Sequence, residues 1–313
     1  MSIIDSFRAS AIVRDPFTDW LTVTFPRDVD AAVRDQVESI LGQLGAVAAS
    51  DNRSLYVVGR LIAGGKLERY GSVKLESKGQ GFFLLSTSGG VLDRMRDCGV
   101  FMDYLAMMGA FPHRVTRLHA TCDYAVPSPG AVIREVKGLA AAGEVQLSRK
   151  SLPASQCLFI LAPGADGLDT GTVYLGEQKK SDITAKVYDK QRERVSKGLS
   201  DPGPVVRVEL SLGSELGLTL RDVANPAGVY FHYAGRMFVE RPQGLPEWSG
   251  HGEGFILPPR RVVGPLERMQ LLLEDSFDLH QLVDLACASH GQHAAAVLGR
   301  IFRERCEAKL AGV

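Results

Sequence analysis

The sequence lacks any hydrophobic run long enough to cross a membrane, which takes roughly 20 apolar residues. Its most apolar stretch, residues 100–111, is short and contains Asp103. The beginning of the chain includes Asp5 and has no basic segment ahead of an apolar one, so we expect no signal peptide. These absences favour a cytoplasmic protein with no membrane partner.

The chain is also poor in cysteine patterns and has no net charge. Its five cysteines are widely spaced and include no C-x-x-C pair, which excludes a disulfide framework and a zinc finger. Lys and Arg together number 36, and so do Asp and Glu, which excludes a globally basic nucleic-acid coat. Any surface that binds an anion must therefore be a local patch. No G-x-x-x-x-G-K-[ST] loop occurs, so no nucleotide cofactor is expected.

What is present is the composition of a globular protein, with 45% hydrophobic and 23% charged residues in 313. The expected fold is α+β: a largely antiparallel sheet of repeated β-α-β units with helices on one face, plus a small C-terminal helical unit. Alternation with period 2 predicts strands at 19–26, over 54–88, at 113–126, in a pair over 170–190 and at 205–212. Helical spacing predicts helices at 29–44, 91–109 and 130–142 and a helical or mixed segment at 219–233, while 151–169 is predicted as a loop.

Proline and glycine divide the chain near its C-terminal end. Residues 242–265 contain five prolines and five glycines, which is typical of a linker. We therefore predict a main domain over 1–241, a linker over 242–265 and a helical tail over 266–313. The tail could form a homodimer, recruit another protein or contact a ligand, and the sequence does not choose among these roles.

Three of the predicted strands place ionisable or hydroxyl side chains on one face and apolar side chains on the other. If these strands lie in one sheet, the polar side chains form a floor that resembles an active site for phosphate chemistry. A solvated sheet face is the alternative, because antiparallel sheets often have one wet side. Strand by strand, the polar residues are Arg117, His119, Thr121 and Asp123; Arg207, Glu209 and Ser211; and Thr184, Lys186, Tyr188 and Lys190.

Four motifs in these regions together resemble the replication initiation factor family, which comprises the rolling-circle Rep proteins of small plasmids and filamentous phages, with related relaxases. In chain order they are T-R-L-H-A-T-C-D at 116–123, T-V-Y-L-G at 172–176, V-Y-D-K-Q-R-E at 187–193 and V-R-V-E-L at 206–210. The resemblance covers residues 15–240 in outline. His119 stands where the family usually has an aspartate, and the arginine that follows the family's Y-x-G motif is absent here.

The resemblance implies that residues 1–241 form a nicking domain that cuts one strand of a double-stranded origin. Tyr188 would become joined to the 5′ phosphate and leave a 3′-OH primer. A phenol with a pKa of about 10 is a poor nucleophile at neutral pH, so neighbouring cations must favour the phenolate. Lys186 and Lys190 are the candidates for that role. Tyr174 could be a second nucleophile or could pack in the sheet.

The resemblance also implies a bound Mg²⁺ or Mn²⁺ that polarises the scissile phosphate. Carboxylate oxygens suit such hard ions, so the predicted ligands are Asp123 and Glu209, with His119 as a third. The predicted DNA contacts are cations that would hold phosphate oxygens. Two of them, Arg117 and Arg207, lie on the polar strands and could instead pair with the predicted carboxylate ligands. These contacts are Arg117, Arg207, Lys179, Lys180, Arg192 and Arg194.

Residues 179–197 contain seven basic and three acidic residues, which predicts either a patch that follows a DNA backbone or a solvated turn. The expected partners are origin DNA, double-stranded and locally single-stranded, and a host helicase, in the cytoplasm of a bacterial host cell. Trp20 and Trp248 could stack on bases or pack in the fold. Two other functions stay open: a conjugative relaxase with the same chemistry, and a non-catalytic origin-binding regulatory protein, which His119 suggests.

Overall fold

The computed structural model describes residues 10–44, 47–49, 54–61, 67–78, 81–147, 152–160, 171–177, 181–245 and 247–248. In these ranges ten strands form one sheet in the order β2-β3-β4-β5-β1-β6-β10-β9-β8-β7, with every neighbouring pair antiparallel. The strands are β1 (Ile12–Pro26), β2 (Val47–Ala49), β3 (Leu55–Leu61), β4 (Leu67–Lys78), β5 (Phe82–Ser88), β6 (Arg114–Ala125), β7 (Cys157–Ile160), β8 (Thr172–Leu175), β9 (Ile183–Asp189) and β10 (Val205–Gly213).

Helices connect the strands or follow the last one. They are α1 (Asp30–Gly42), α2 (Gly89–Asp97), α3 (Phe101–Gly109), α4 (Pro129–Ala141), α5 (Lys190–Ser196), α6 (Leu220–Ala224) and α7 (Ala227–Met237). The predicted α+β fold with a largely antiparallel sheet is therefore confirmed. In the described part of the chain, no helix is both long and apolar enough to span a membrane.

The sheet consists of two halves with the same order of elements. Each half starts with a central strand, β1 or β6, continues through one helix, α1 or α4, and returns through four strands. The last of these strands, β5 or β10, pairs with the strand that began its half. β1 and β6 pair with each other, so the two halves meet in the middle of one continuous sheet. The predicted repetition is thus present as a β-α-β-β-β-β unit, to which the second half adds α5 between β9 and β10.

One face of the sheet forms the hydrophobic core with the helices. Leu118, Ala120 and Cys122 alternate along β6 and are fully buried on this face. The Tyr124 side chain continues the series, and its hydroxyl lies 3.1 Å from that of Tyr230 on α7, so Tyr124 packs inward. Removing such aliphatic and aromatic surface from water stabilises the fold by about 1.5–3 kcal/mol per fully buried side chain. The same alternation leaves the opposite face of β6 to polar residues.

Three boundaries differ from the sequence prediction for local reasons. The single helix predicted at 91–109 is two helices, because Gly99 follows α2 with a positive φ of 76° that ends it. The loop predicted at 151–169 contains β7, which pairs with β8 at the edge of the sheet. Lys190 does not continue β9 but begins α5, because the Asp189 carboxylate accepts a hydrogen bond from the Arg192 backbone and caps that helix.

The chain divides into two units after residue 256. The predicted linker over 242–265 is described only at 242–245 and 247–248, and the predicted tail over 266–313 lies outside the described residues. The domain boundaries and the role of the tail therefore stay predictions.

Candidate active site

Strand register brings the predicted polar residues together on the face opposite the helices. Residues that pair across neighbouring strands share a face of the sheet, and their side chains lie within contact distance. The pairing of β9, β10 and β6 creates three such rows. The rows are Tyr188, Arg207 and Asp123; Lys186, Glu209 and Thr121; and Thr184, Ser211 and His119.

Arg207 lies at the centre of this cluster and is almost completely buried. Its Nε and Nη2 atoms donate to the two carboxylate oxygens of Asp123 at 2.6 and 2.8 Å, which is a bidentate ion pair. Its Nη1 atom lies 3.4 Å from Oδ2 of Asp19, and its guanidinium carbon lies 5.1 Å from the centre of the Phe17 ring. Burial opposes the charge of the guanidinium group, but the hydrogen bonds that it donates to Asp123 prevail and raise the pKa of Arg207. The arginine is thus a fixed positive charge.

Asp19 belongs to the site although the sequence pattern did not predict it. The alternation in residues 19–26 assigns Asp19 to the apolar face, together with Leu21. A β-bulge reverses this assignment: Thr18 pairs with Ala120 and Trp20 pairs with the next residue, His119, so Asp19 is the extra residue. Burial raises the pKa of Asp19, while the charge of Arg207 acts against that rise.

Gly89, the first residue of α2, has no side chain, and this leaves room for Asp19. A Cβ atom at this position would lie 2.0 Å from Oδ1 of Asp19 and 2.5 Å from its backbone oxygen. Any larger residue would have to displace the carboxylate or the helix. The close approach of α2 therefore helps to hold Asp19 against Arg207.

Tyr188 lies below two ammonium groups. The Nζ atoms of Lys186 and Lys190 are 4.2 and 5.7 Å from the centre of its ring, within the range of cation–π attraction. Burial raises the pKa of Tyr188 above its usual value of 10, and nearby carboxylates reinforce that rise while Arg207 opposes it. Tyr188 is therefore a neutral phenol in the free protein at neutral pH, and it needs a proton acceptor before it can act as a nucleophile.

The Tyr188 side chain is 6% exposed, and its hydroxyl makes no hydrogen bond to another described residue. Among the described residues, the fully buried side-chain polar atoms without a partner are Nε of Arg94 and Oγ1 of Thr121. Tyr188 is therefore a largely buried residue of the polar face.

His119, in the third row, links Arg117 to Glu209 in the second row. Its Nε2 atom accepts a hydrogen bond from Nε of Arg117 at 3.0 Å, and its Nδ1 atom lies 3.2 Å from Oε1 of Glu209. An imidazole that accepts at Nε2 carries its proton on Nδ1, so His119 donates to Glu209. Burial alone would raise the pKa of Glu209, but the hydrogen bond from His119 lowers it.

The predicted metal ligands do not converge on one point. Asp123 gives both carboxylate oxygens to Arg207, while Glu209 pairs with His119. In the part of the chain that the structure describes, no group of three His, Cys, Asp or Glu residues is placed to hold an ion. Asp123, Glu209 and His119 therefore do not fit a shared metal in this arrangement. The requirement for Mg²⁺ or Mn²⁺ stays a prediction.

The other predicted DNA contacts are dispersed. Arg117 is exposed on the polar face beside His119. Arg192 and Arg194 lie on α5, where Arg194 donates to the backbone oxygen of Ser200 at 2.9 Å. Lys179 and Lys180 lie outside the described residues. The predicted basic patch over 179–197 is therefore described only in part, and its role in DNA binding stays a prediction.

The aromatic candidates have different surroundings. Trp248 packs against α7, with its ring centre 5.3 Å from that of His232, and its Nε1 atom donates to Asp222 at 2.8 Å. Tyr174 on β8 lies opposite Lys186 on β9, and the Lys186 ammonium group is 6.0 Å from the centre of the Tyr174 ring. Trp20 is half-buried on the polar face. Trp248 is therefore part of the packing, whereas Trp20 and Tyr174 border the cluster.

No protein-family model matches the chain, and no curated protein matches it in sequence. Among solved structures, the chain is similar to a rolling circle replication initiator protein from Geobacillus stearothermophilus, with a TM-score of 0.43 and 16% identity. The similarity covers 74% of this chain and 88% of that protein. A likeness of this degree does not establish a shared family or a shared function.

We predict that Asp123→Ala lowers the free energy of unfolding by about 3–5 kcal/mol, because it leaves the buried charge of Arg207 without its bidentate partner. The matched control is Glu215→Ala, which breaks the pair of Glu215 with Arg114, whose side chains are 72% and 26% exposed. That change should cost less than about 1 kcal/mol. Urea unfolding of both variants measures the difference. Equal costs would contradict the central role assigned to the buried pair.

Proposed function

We propose that this chain is a rolling-circle replication initiator of a phage or plasmid, which nicks one strand of its origin DNA through Tyr188. The observation that carries the proposal is the placement of this one phenol. It lies on a polar sheet face, and its ring centre is 4.2 and 5.7 Å from the Nζ atoms of Lys186 and Lys190. The charge of Arg207, which is buried in a bidentate ion pair, also acts on its pKa. Fixed cations around a nucleophile suit a phosphodiester, whose oxygens gain negative charge in the transition state.

The reaction exchanges one phosphate ester for another. Tyr188 gives up its hydroxyl proton, and its oxygen attacks the phosphorus atom. The bond from phosphorus to the 3′ oxygen breaks, and that oxygen takes up a proton and leaves as a 3′ hydroxyl. The 5′ phosphate is then joined to Tyr188. Because this ester keeps the energy of the broken bond, a later 3′ hydroxyl can reverse the step and rejoin the strand.

Asp19 is the proton acceptor in this proposal. Asp19 contacts Arg207, which is the residue opposite Tyr188 on β10. The charges of Glu209, Glu193 and Asp19 each raise the pKa of Tyr188. Hydrogen bonds from His119 and from two lysines help to lower the pKa of Glu209 and of Glu193, whereas burial raises the pKa of Asp19. The carboxylate with the higher pKa takes up a proton more readily at neutral pH, so Asp19 is the best base of the three.

The cations have separate roles. Arg207 and Lys186 stabilise the negative charge that develops on the phosphate oxygens, and the contacts with Asp123 fix the position of Arg207 before the reaction begins. Lys190 donates to Glu193, and burial lowers the pKa of its ammonium group. A lowered pKa makes an ammonium group a better acid, so Lys190 is assigned to protonate the leaving 3′ oxygen.

The nucleophile assignment predicts that Tyr188→Phe abolishes nicking, with a loss of at least about 10³-fold, because no other group can form the phosphotyrosine ester. The substrate is a negatively supercoiled plasmid that carries the DNA flanking the gene for this chain, with Mg²⁺ or Mn²⁺ supplied. The unmodified protein should produce open circles and a protein–DNA adduct that survives denaturant. Tyr174→Phe is the matched control and should retain both products.

Two outcomes of that assay would contradict the proposal. An adduct that persists in Tyr188→Phe would remove Tyr188 as the nucleophile. Unmodified protein that shifts the DNA in a gel without nicking it would support the non-catalytic origin-binding alternative instead. Outside this assay, a plasmid that the protein mobilises between cells but does not replicate would support the relaxase.

The base assignment predicts a pH dependence of nicking. Asp19 accepts a proton only when it is ionised, and its pKa is raised above the usual 3.8, so the rate should fall with decreasing pH at values above 3.8. Asp19→Asn should lower the rate by about 10²–10⁴-fold and remove this acidic limb. Asp15→Asn, at an exposed position of the same strand, should leave the profile unchanged. An acidic limb that survives in Asp19→Asn would contradict the assignment.

A further inference from the structure

The polar face continues beyond the proposed active site onto β1. Trp20 lies opposite His119 on β6 and opposite Ser88 on β5, in line with the third row of the cluster. Its ring centre is 6.1 Å from that of His119, with 34° between the two planes. The neighbouring residue Leu21 fills the core on the other face, so the core does not require an indole at position 20. A large aromatic ring is thus presented on a polar surface.

Hydrogen bonds hold the indole in one orientation. Nε1 of Trp20 donates to Oγ1 of Thr22 at 3.0 Å, and that hydroxyl lies 3.1 Å from Oγ of Ser86 on β5. The polar atom of the ring is therefore satisfied within the sheet, and the ring does not need to reorient to bind. A ring that is fixed beforehand loses little conformational entropy when a ligand stacks on it.

A cation with free donor atoms, Arg117, contacts the same imidazole ring as Trp20 does. Arg117 uses Nε to donate to His119 at 3.0 Å and to Ser211 at 3.2 Å. Within the described residues, its two terminal nitrogens make no hydrogen bond or ion pair. These nitrogens can hold a phosphate while a base stacks on the neighbouring ring. Proteins that bind single-stranded nucleic acid combine these two features, a cationic groove and aromatic platforms.

We propose that Trp20 and Arg117 form a subsite for one nucleotide of single-stranded DNA, in which the base stacks on the indole and its phosphate contacts the guanidinium group. The subsite takes an unpaired strand, because the bases of a duplex are stacked on each other and present no free face. This inference rests on the proposed function only for the choice of DNA as the ligand. It does not depend on any chemistry at Tyr188.

The sheet geometry gives the distance between the subsite and the nucleophile. Trp20 is on the third strand from Tyr188, about 14 Å across the sheet at about 4.8 Å per strand. It is also displaced by four residues, from Arg207 to Ser211, which is about 13 Å along the strands. The two sites are therefore about 20 Å apart. Both lie on the same face, so one strand can reach them together.

The first test uses Trp20 as its own reporter. The chain has two tryptophans, so Trp248→Phe leaves the fluorescence of Trp20 alone. Tyr188→Phe is added so that no covalent reaction occurs. We expect a 20-nucleotide oligodeoxythymidine to quench this fluorescence saturably, and a duplex of the same length to leave it unchanged. Saturable binding of the labelled oligonucleotide by anisotropy, without any change in Trp20 fluorescence, would overturn the proposal, and so would an absence of binding.

The second test separates stacking from packing. In the Tyr188→Phe background, Trp20→Leu should weaken binding of the oligodeoxythymidine by about 5- to 150-fold, which corresponds to the loss of one base–aromatic stack. Trp20→Phe keeps an aromatic ring and should lose much less. Circular dichroism and the melting temperature confirm that each variant is folded. Equal affinities of the Leu and Phe variants would overturn the proposal, even if the fluorescence responded.

These tests fail independently of the nicking assay. Quenching together with no nicking by the unmodified protein would contradict the proposed function but leave the Trp20 subsite in place. Nicking together with unchanged Trp20 fluorescence would contradict the Trp20 subsite but leave the proposed function in place. The double variant Trp20→Phe with Arg117→Gln completes the comparison, because its affinity should fall below that of Trp20→Phe alone if the guanidinium group holds a phosphate.

Discussion

The buried ion pair between Arg207 and Asp123 is the interaction on which the site depends. A guanidinium group below the surface of a sheet is tolerated only when its hydrogen bonds are satisfied, and the bidentate contact with Asp123 provides that compensation. The pair also joins β10 to β6 across the polar face. With its charge fixed in this way, Arg207 influences the pKa of both the proposed base, Asp19, and the proposed nucleophile, Tyr188.

The architecture explains why these groups meet. The two halves of the sheet are joined through β1 and β6, so residues of the first half reach the cluster only where β1 lies beside β6. The bulge in β1 turns Asp19 out of the core at that place, and Gly89 leaves room for it. The second half supplies the cations and the phenol. The proposed site is therefore shared by both halves, and neither half contains it alone.

Local alternation in the sequence predicted the fold class and the polar rows, because both follow from the period of a strand. It did not predict Asp19, since a bulge changes the face of a residue without leaving a signature in the pattern. It also assigned Lys190 to a strand, although the residue begins a helix and still reaches the Tyr188 ring. The sequence also could not predict the binding partner of Asp123, which could have been a metal ion or an arginine. The strand register, which places Arg207 opposite Asp123, is what identifies the arginine as the partner.

The most direct test of the account is to identify the residue that becomes attached to DNA. The covalent adduct would be trapped in denaturant, digested with nuclease and protease, and its modified peptide sequenced by mass spectrometry. The account predicts a nucleotide joined through a phosphate to the Tyr188 oxygen. A nucleotide on another residue, or nicked DNA whose 5′ phosphate is free from the start of the reaction, would contradict it.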